Sequence, residues 1–208
     1  MIKVQNEADC CTITLARPDK ANALTGEMLE SLASAATDAA TNGAKVLILT
    51  GEGKVFSAGA DLDGMRNGLG LSPAWEDASG AIAAFPGLSI AALNGTLAGG
   101  ASGIALACDL RIAVPSANFF YPVMRLGYRP QPSDPGRLAA LVGPSRAKMI
   151  LLAGQKIDSE TALAWGLIDR ICAPEALTDT AMSLAEHALA ADSGHVAALK
   201  RMTNGEEP

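Results

Sequence analysis

The stretch "GTLAGGASGIALACDL", residues 95–110, constrains this chain's fold more than any other: four glycines and four alanines crowd an apolar segment that ends on Asp109. So little side chain lets backbone meet backbone, or a ligand reach backbone amides, at distances larger residues forbid. Residues 88–108 are apolar enough to raise a membrane span, but Gly and Ala dominate, Asn94 interrupts, and Asp109 and Arg111 follow directly. A buried core segment is expected instead. A second stretch, "GKVFSAGADLDGM" at 53–65, also breaks from apolar into small residues before a helix start. Helix starts leave N–H groups without intrahelical partners, so two converging turns of this kind can hold a developing oxyanion. For either turn taken alone, a helix cap with close packing is the simpler reading.

Strand-like "TITLA" (12–16) and "KVLILTG" (45–51) flank "GEMLESLASAATDAATN", in which Met28, Leu29, Leu32, Ala35, Ala36 and Ala39 fall on one helical face behind a Thr25 cap. This predicts parallel strands joined by a right-handed crossover. The theme recurs in helical "ASGAIAAF" (78–85), strand-like "LSIAALNG" (88–95), helical 99–109 and strand-like "LRIAV" (110–114). From Pro144 onward the pattern reads as wholly helical, giving a core over 1–143 and a helical region over 144–208. The Gly- and Ser-rich stretch 67–80 reads as a mobile surface loop, a lid candidate, with Trp75 exposed. With 49% hydrophobic residues but only 4 Phe, 2 Trp and 2 Tyr among 208, the core must be built from Ala, Leu, Ile and Val.

The formal net charge of -6 and the lack of any Lys/Arg run argue against a nucleic-acid partner. Cys10, Cys11, Cys108 and Cys172 show no metal-ligand spacing, and adjacent Cys10 and Cys11 are poorly placed to bridge each other. Reduced thiols and an N-terminus without signal-peptide character predict a cytoplasmic location, with no metal and no membrane.

Five blocks taken together carry a resemblance: "LARPDKANAL" (15–24), "VLILTGEGKVFSAGADL" (46–62), "IAALNGTLAGGASGIALACDLRIAV" (90–114), "LGYRPQPSDPGRLAALVGPSRAKMILLAG" (126–154) and "ETALAWGLIDRI" (160–171). In order and spacing the chain resembles the enoyl-CoA hydratase/isomerase, or crotonase, superfamily over nearly its whole length. The resemblance implies an α/β fold, a spiral of strand-strand-helix turns followed by helices that build homotrimers or hexamers. It also implies an acyl-CoA thioester substrate, no cofactor beyond the CoA it carries, lyase or isomerase chemistry of the kind found in fatty acid metabolism, and an oxyanion hole formed by the amides of Ala60 and Gly100. By the same resemblance Arg17, Lys20 and Ala23 lie where the family meets the CoA nucleotide, and Ala58, Asp61 and Leu62 line the pantetheine and thioester. Asp61 is equally placed to cap the helix it opens, and that role is favoured.

The chain departs from the family's pattern in three places. Hydratases place glutamates three residues beyond the second hole glycine and directly after a Pro; here those positions are Gly103 and Val123, and neither can carry a proton. The site where some relatives hold an Asp is Gln131. The usual glycine-rich turn is replaced by proline-rich "GYRPQPSDPGRL" (127–138), which makes Tyr128, Arg129, Gln131 and Asp134, with Tyr121, Val123 and Arg125, the acyl-pocket candidates. For Arg125, Arg129 and Asp134 a surface ion cluster is the simpler reading. After "AALKRMTNGEEP" the family usually continues as helices over the acyl pocket, which here predicts a more open pocket and leaves trimer formation open.

The leading expectation is an acyl-CoA enzyme that stabilises an enolate-like state on the two amides. The alternative is a non-catalytic acyl-CoA binder that has lost its carboxylates. A third reading makes Ser102 a hydrolase nucleophile, but it needs a base, and His187 and His195 both sit in the polar helical tail.

Overall fold

The computed structural model describes residues 1–207. Strand β1 (Ile2–Glu7) pairs antiparallel with β2 (Cys10–Leu15), in which Cys11, Ile13 and Leu15 are buried while Thr12 and Thr14 are half-buried, the period-two signature of a sheet with one covered face. Helix α1 (Gly26–Thr41) starts at Thr25, whose Oγ1 accepts from the Met28 N–H at 3.2 Å. Its buried face is the expected set of Met28, Leu29, Leu32, Ala35, Ala36 and Ala39. Strand β3 (Val46–Gly51) runs parallel to β2, and its first four residues are all buried, as a strand covered on both faces requires.

From β3 onward one unit repeats: a strand in a long sheet, a corner, a short strand in a second sheet, then a helix. The first turn is β3, β4 (Val55–Ser57), α2 (Leu62–Arg66) and α3 (Ala74–Ala83); the second is β5 (Leu88–Leu93), β6 (Thr96–Ala98) and α4 (Ala101–Leu106); the third is β7 (Leu110–Ala113), β8 (Asn118–Phe120) and α5 (Val123–Leu126). Helices α6 (Asp134–Val142) and α7 (Pro144–Leu151) follow, then β9 (Ile157–Asp158), α8 (Ser159–Trp165), β10 (Arg170–Ile171), α9 (Leu177–Ala190) and α10 (Ser193–Thr203). The six-stranded sheet runs β1-β2-β3-β5-β7-β10, parallel from β2 on. The four-stranded sheet runs β4-β6-β8-β9, with β9 antiparallel. This is the crotonase-like spiral of strand-strand-helix turns. Asparagines tie its corners: the Nδ2 groups of Asn22 and Asn94 both donate to Val55 O, at 2.7 and 3.3 Å, while their Oδ1 atoms accept from the Arg17 and Gly51 amides.

Three expectations are corrected. The region after Pro144 is not wholly helical, because β9 and β10 join the two sheets; two-residue strands carry no periodicity. Three-residue β4, β6 and β8 escape pattern reading for the same reason. The expected lid at 67–80 holds most of α3 instead, and Trp75 is 2% exposed, its Nε1 donating to Leu69 O at 2.9 Å. Among the described residues no helix is long and apolar enough to cross a membrane.

The C-terminal helix is fastened to the sheet by charge. Lys200 Nζ donates to Asp109 Oδ2 at 2.8 Å and to the carbonyls of Phe85 and Gly87, while Asp109 Oδ2 also accepts from the Ser89 amide and hydroxyl. Hydrogen bonds to charged groups contribute about 1.5–3 kcal/mol. Lys200→Met keeps the stem and deletes the charge, so it should lower stability in urea by about 2 kcal/mol and expose α10 to early proteolytic trimming; unchanged proteolysis would show that α10 is held by apolar contact alone.

Candidate active site

Two turns meet at the centre of the spiral. After β4, buried Ser57 donates its hydroxyl to Asn22 O at 2.8 Å and accepts from the Gly59 amide at 3.1 Å, which locks the turn. Gly59 has φ +95, and a Cβ added there would lie 2.9 Å from Ala98 O and 3.4 Å from Gly99 Cα. Gly99, at φ +57, donates its amide to Phe120 O at 3.0 Å. Backbone touches backbone across this contact, and no L side chain fits it without strain.

Directly after each of these glycines stand Ala60 and Gly100, which both line a cavity of about 350 Å³. Among the described residues neither the Ala60 N–H nor the Gly100 N–H has a protein acceptor, whereas the Gly59, Asp61, Gly99 and Ser102 amides are all bonded. Two unpaired ones on abutting turns, at one cavity wall, form an arrangement able to accept a carbonyl oxygen or an oxyanion.

The rest of the wall is mostly apolar. Leu62, Met65 and Arg66 come from α2, Trp75 from α3, and Tyr121, Pro122, Val123 and Leu126 from the start of α5; Tyr128, Arg129 and Gln131 follow from the proline-rich turn. Gln131 Nε2 donates to Gly70 O at 3.3 Å, and Glu76 Oε1 accepts from the Ser133 amide and hydroxyl, so α3 braces that turn. Of the acyl-pocket candidates, Tyr121, Val123, Tyr128, Arg129 and Gln131 line the cavity; exposed Arg125 and buried Asp134 do not.

The expected ion cluster of Arg125, Arg129 and Asp134 is corrected. Asp134 is 1% exposed and pairs with neither arginine. Its Oδ2 accepts from the Tyr121 hydroxyl at 2.8 Å, and its Oδ1 has no partner. A Cβ added at Gly103 would overlap that Oδ1, so the missing side chain at 103 is the space the carboxylate fills. Burial raises the Asp134 carboxyl to about 6; the Tyr121 hydroxyl lowers it, Glu76 raises it and Arg137 lowers it. Burial first, then Asp134, pushes the Tyr121 phenol far above its ordinary value, so Tyr121 stays protonated.

Among the CoA-contact candidates, Ala58 and Leu62 line the cavity, whereas Arg17, Lys20, Ala23 and Asp61 do not. Asp61 caps α2, accepting from the Asp63 and Gly64 amides at 3.1 and 3.0 Å, and Arg17 binds its Oδ2 at 2.6 Å and also donates to Ala23 O. The Gly64 amide and then Arg17 hold the Asp61 carboxyl below its ordinary range. Lys20 is exposed and has no ion-pair partner among the described residues. Ser102 lines a separate 20 Å³ void behind the cavity, while His187 and His195 are exposed on α9 and α10 and neither bonds it among the described residues. Trp75 and Met65 were missed as wall residues; the Gly- and Ser-rich composition around Trp75 masked a helix start.

Residues 5–206 match the family model described as enoyl-CoA hydratase/isomerase. The chain is similar to the 1,2-epoxyphenylacetyl-CoA isomerase of Escherichia coli, 31% identical over 211 residues that cover 97% of this chain and 80% of that one. It is also similar to the protein named "Probable enoyl-CoA hydratase echA6" of Mycobacterium tuberculosis, 34% identical over 82% of this chain and 70% of the relative. Among solved structures, an enoyl-CoA hydratase from Bacillus anthracis superposes with a TM-score of 0.91 at 30% identity, over 98% of this chain and 83% of that one, and Pseudomonas aeruginosa DspI with 0.92 at 29%, over 98% and 86%.

The buried carboxyl has a stability signature. Asp134 titrates at about 6 in the fold against an ordinary 3.8. Above pH 6 it is charged in both states and its burial weakens the fold, whereas below about 4 it is neutral in both and the penalty vanishes; at about 1.4 kcal/mol per pH unit the penalty is roughly 3 kcal/mol. In denaturant titrations Asp134→Asn should therefore gain roughly 3 kcal/mol relative to the parent between pH 2.5 and pH 7.5, and a pH-independent difference would contradict a raised carboxyl. Separately, Gly59→Ala should cost about 1–3 kcal/mol through its φ and the Ala98 carbonyl, measured by the same titration.

Proposed function

Because the chain belongs to the enoyl-CoA hydratase/isomerase family, whose members act on acyl-CoA substrates, we propose that it binds an acyl-CoA thioester with the carbonyl oxygen on the Ala60 and Gly100 amides and stabilises the enolate-like state that forms there. The observation that carries this reading is the pair of unpaired amides set side by side by the Gly59–Gly99 contact at one cavity wall. As α-proton loss begins, charge builds on the thioester oxygen. Donors already aimed at it need no reorganisation, and each is worth roughly 3–4 kcal/mol of transition-state stabilisation.

The acyl chain would lie against Leu62, Met65, Trp75 and Val123, and exposed Lys20 beside the first turn suits the CoA phosphates. Straightforward hydration of a 2-enoyl thioester is disfavoured: Val123 in the wall is apolar and residue 103 has no side chain, so the two positions offer no acid or base. The same two residues favour a second reading, a non-catalytic acyl-CoA binder. Exposed Leu152 after α7 and exposed Leu199 and Met202 on α10 support self-association of copies, a trimer or hexamer.

A complex with acetoacetyl-CoA should place the thioester oxygen about 3 Å from both amide nitrogens, and an oxygen bound elsewhere would overturn the site. Crotonyl-CoA hydration should run at least about 10⁴-fold below a two-carboxylate hydratase, since each acid or base contributes 10²- to 10⁴-fold. Binding without chemistry across a panel of CoA thioesters would select the binder.

A further inference from the structure

We propose that the Tyr121 hydroxyl is the group that carries the α-proton of the bound thioester, with Asp134 behind it as the buried proton acceptor. The inference deepens the thioester-binding reading and rests on it. Its geometry is independent of the two amides. Tyr121 stands in the wall of the same cavity as Ala60 and Gly100, and its hydroxyl bonds Asp134 Oδ2 at 2.8 Å. Gly103, over which Asp134 Oδ1 sits, lies three residues beyond Gly100, so one helical turn separates the carboxylate from the amide that would hold the oxyanion.

The contacts of Asp134 leave one of its carboxylate oxygens without a hydrogen bond among the described residues. Asp134 begins α6 without making a side-chain cap and, among the described residues, forms no ion pair and leaves Oδ1 buried and unpartnered. A buried carboxyl with an orphan oxygen is expensive, and a fold retains such groups where they act. Among the described residues its one hydrogen-bonded side chain is Tyr121, a residue of the cavity wall. The charged and titratable groups around it are Tyr121 ahead of α5, Glu76 from α3 and Arg137 from α6; α4 presents glycine.

The step balances without a co-reactant. The α-carbon–hydrogen bond breaks and its proton passes to Tyr121 Oη while the phenol's own proton passes to Asp134 Oδ2. The electron pair left on carbon moves into the thioester oxygen on the Ala60 and Gly100 amides, and the reverse transfer protonates carbon. Tyr121 is neutral before and after, in keeping with a phenol that resists ionisation. Asp134 must begin as carboxylate, so the rate should rise with pH through about 6 and then level.

The test is deuterium wash-in at the α-carbon of butyryl-CoA and phenylacetyl-CoA in heavy water, read by mass spectrometry, with binding of each thioester measured alongside. The parent protein should bind and exchange. Tyr121→Phe, which deletes one hydroxyl and no bulk, should bind as tightly yet exchange 10²- to 10⁴-fold more slowly. Asp134→Asn should lose both the rate and the inflection near pH 6, a change that a merely structural carboxylate would not cause. Exchange by Tyr121→Phe at the parent rate, or a parent that binds but exchanges neither thioester, overturns the relay. A parent that binds neither thioester overturns the thioester site itself, an outcome told apart by the binding measurement.

Discussion

The fold and the site both depend on one close approach, the passage of the Gly59 backbone against Ala98 and Gly99. A sheet spiral brings corresponding corners of successive turns together, but it cannot bring them into contact if either carries a side chain. With glycine at both, the residues that follow, Ala60 and Gly100, come to line one cavity. The requirement propagates outward. Ser57 must fix the turn from below, Asn22 must anchor Ser57, and the left-handed backbone of Asn22 must turn the chain into position. The small-residue composition of 95–110 is therefore not loose packing. It is the condition for bringing the two turns into backbone contact.

What could be read from the sequence divides along physical lines. Long periodic elements were legible: the buried face of α1 is the one its 3.6-residue spacing predicts, and the continuous apolar run of β3 lies in a parallel sheet. The meeting of the two small-residue turns was legible because both break from apolar into small residues in the same way before a helix start. Strands β4, β6, β8, β9 and β10 were not, since two or three residues cannot display a period and their existence is fixed by neighbouring turns of the spiral. Trp75 lies in a Gly- and Ser-rich stretch whose composition reads as exposed, but in a chain with so few aromatics its large apolar ring is buried.

The acyl side of the site was the least legible, and Asp134 shows why. Its neighbours in sequence are Pro132, Ser133 and Pro135, a setting that reads as an exposed turn. The interaction that decides its environment comes from Tyr121, thirteen residues earlier, and from the empty space above Gly103, thirty-one earlier. No local pattern encodes such a relation. Arg125 and Arg129 looked equivalent to Asp134 in sequence, yet both are exposed while the carboxyl is enclosed.

That enclosure links two departures that look separate in the sequence. Gly103 lacks the glutamate expected from hydratases, and Asp134 interrupts a turn expected to be glycine. In the structure these are one arrangement, because a side chain at 103 and the carboxylate at 134 would need the same volume. An acidic oxygen stays beside the first turn of α4 although its covalent origin has moved from that helix to the next layer. The change has a chemical consequence. A carboxylate projecting from α4 would address a ligand directly, whereas Asp134 does not line the cavity and its Oδ2 accepts from the hydroxyl of Tyr121, which does. Water activation needs an acid or base open to the cavity, and neither residue 103 nor Val123 offers one.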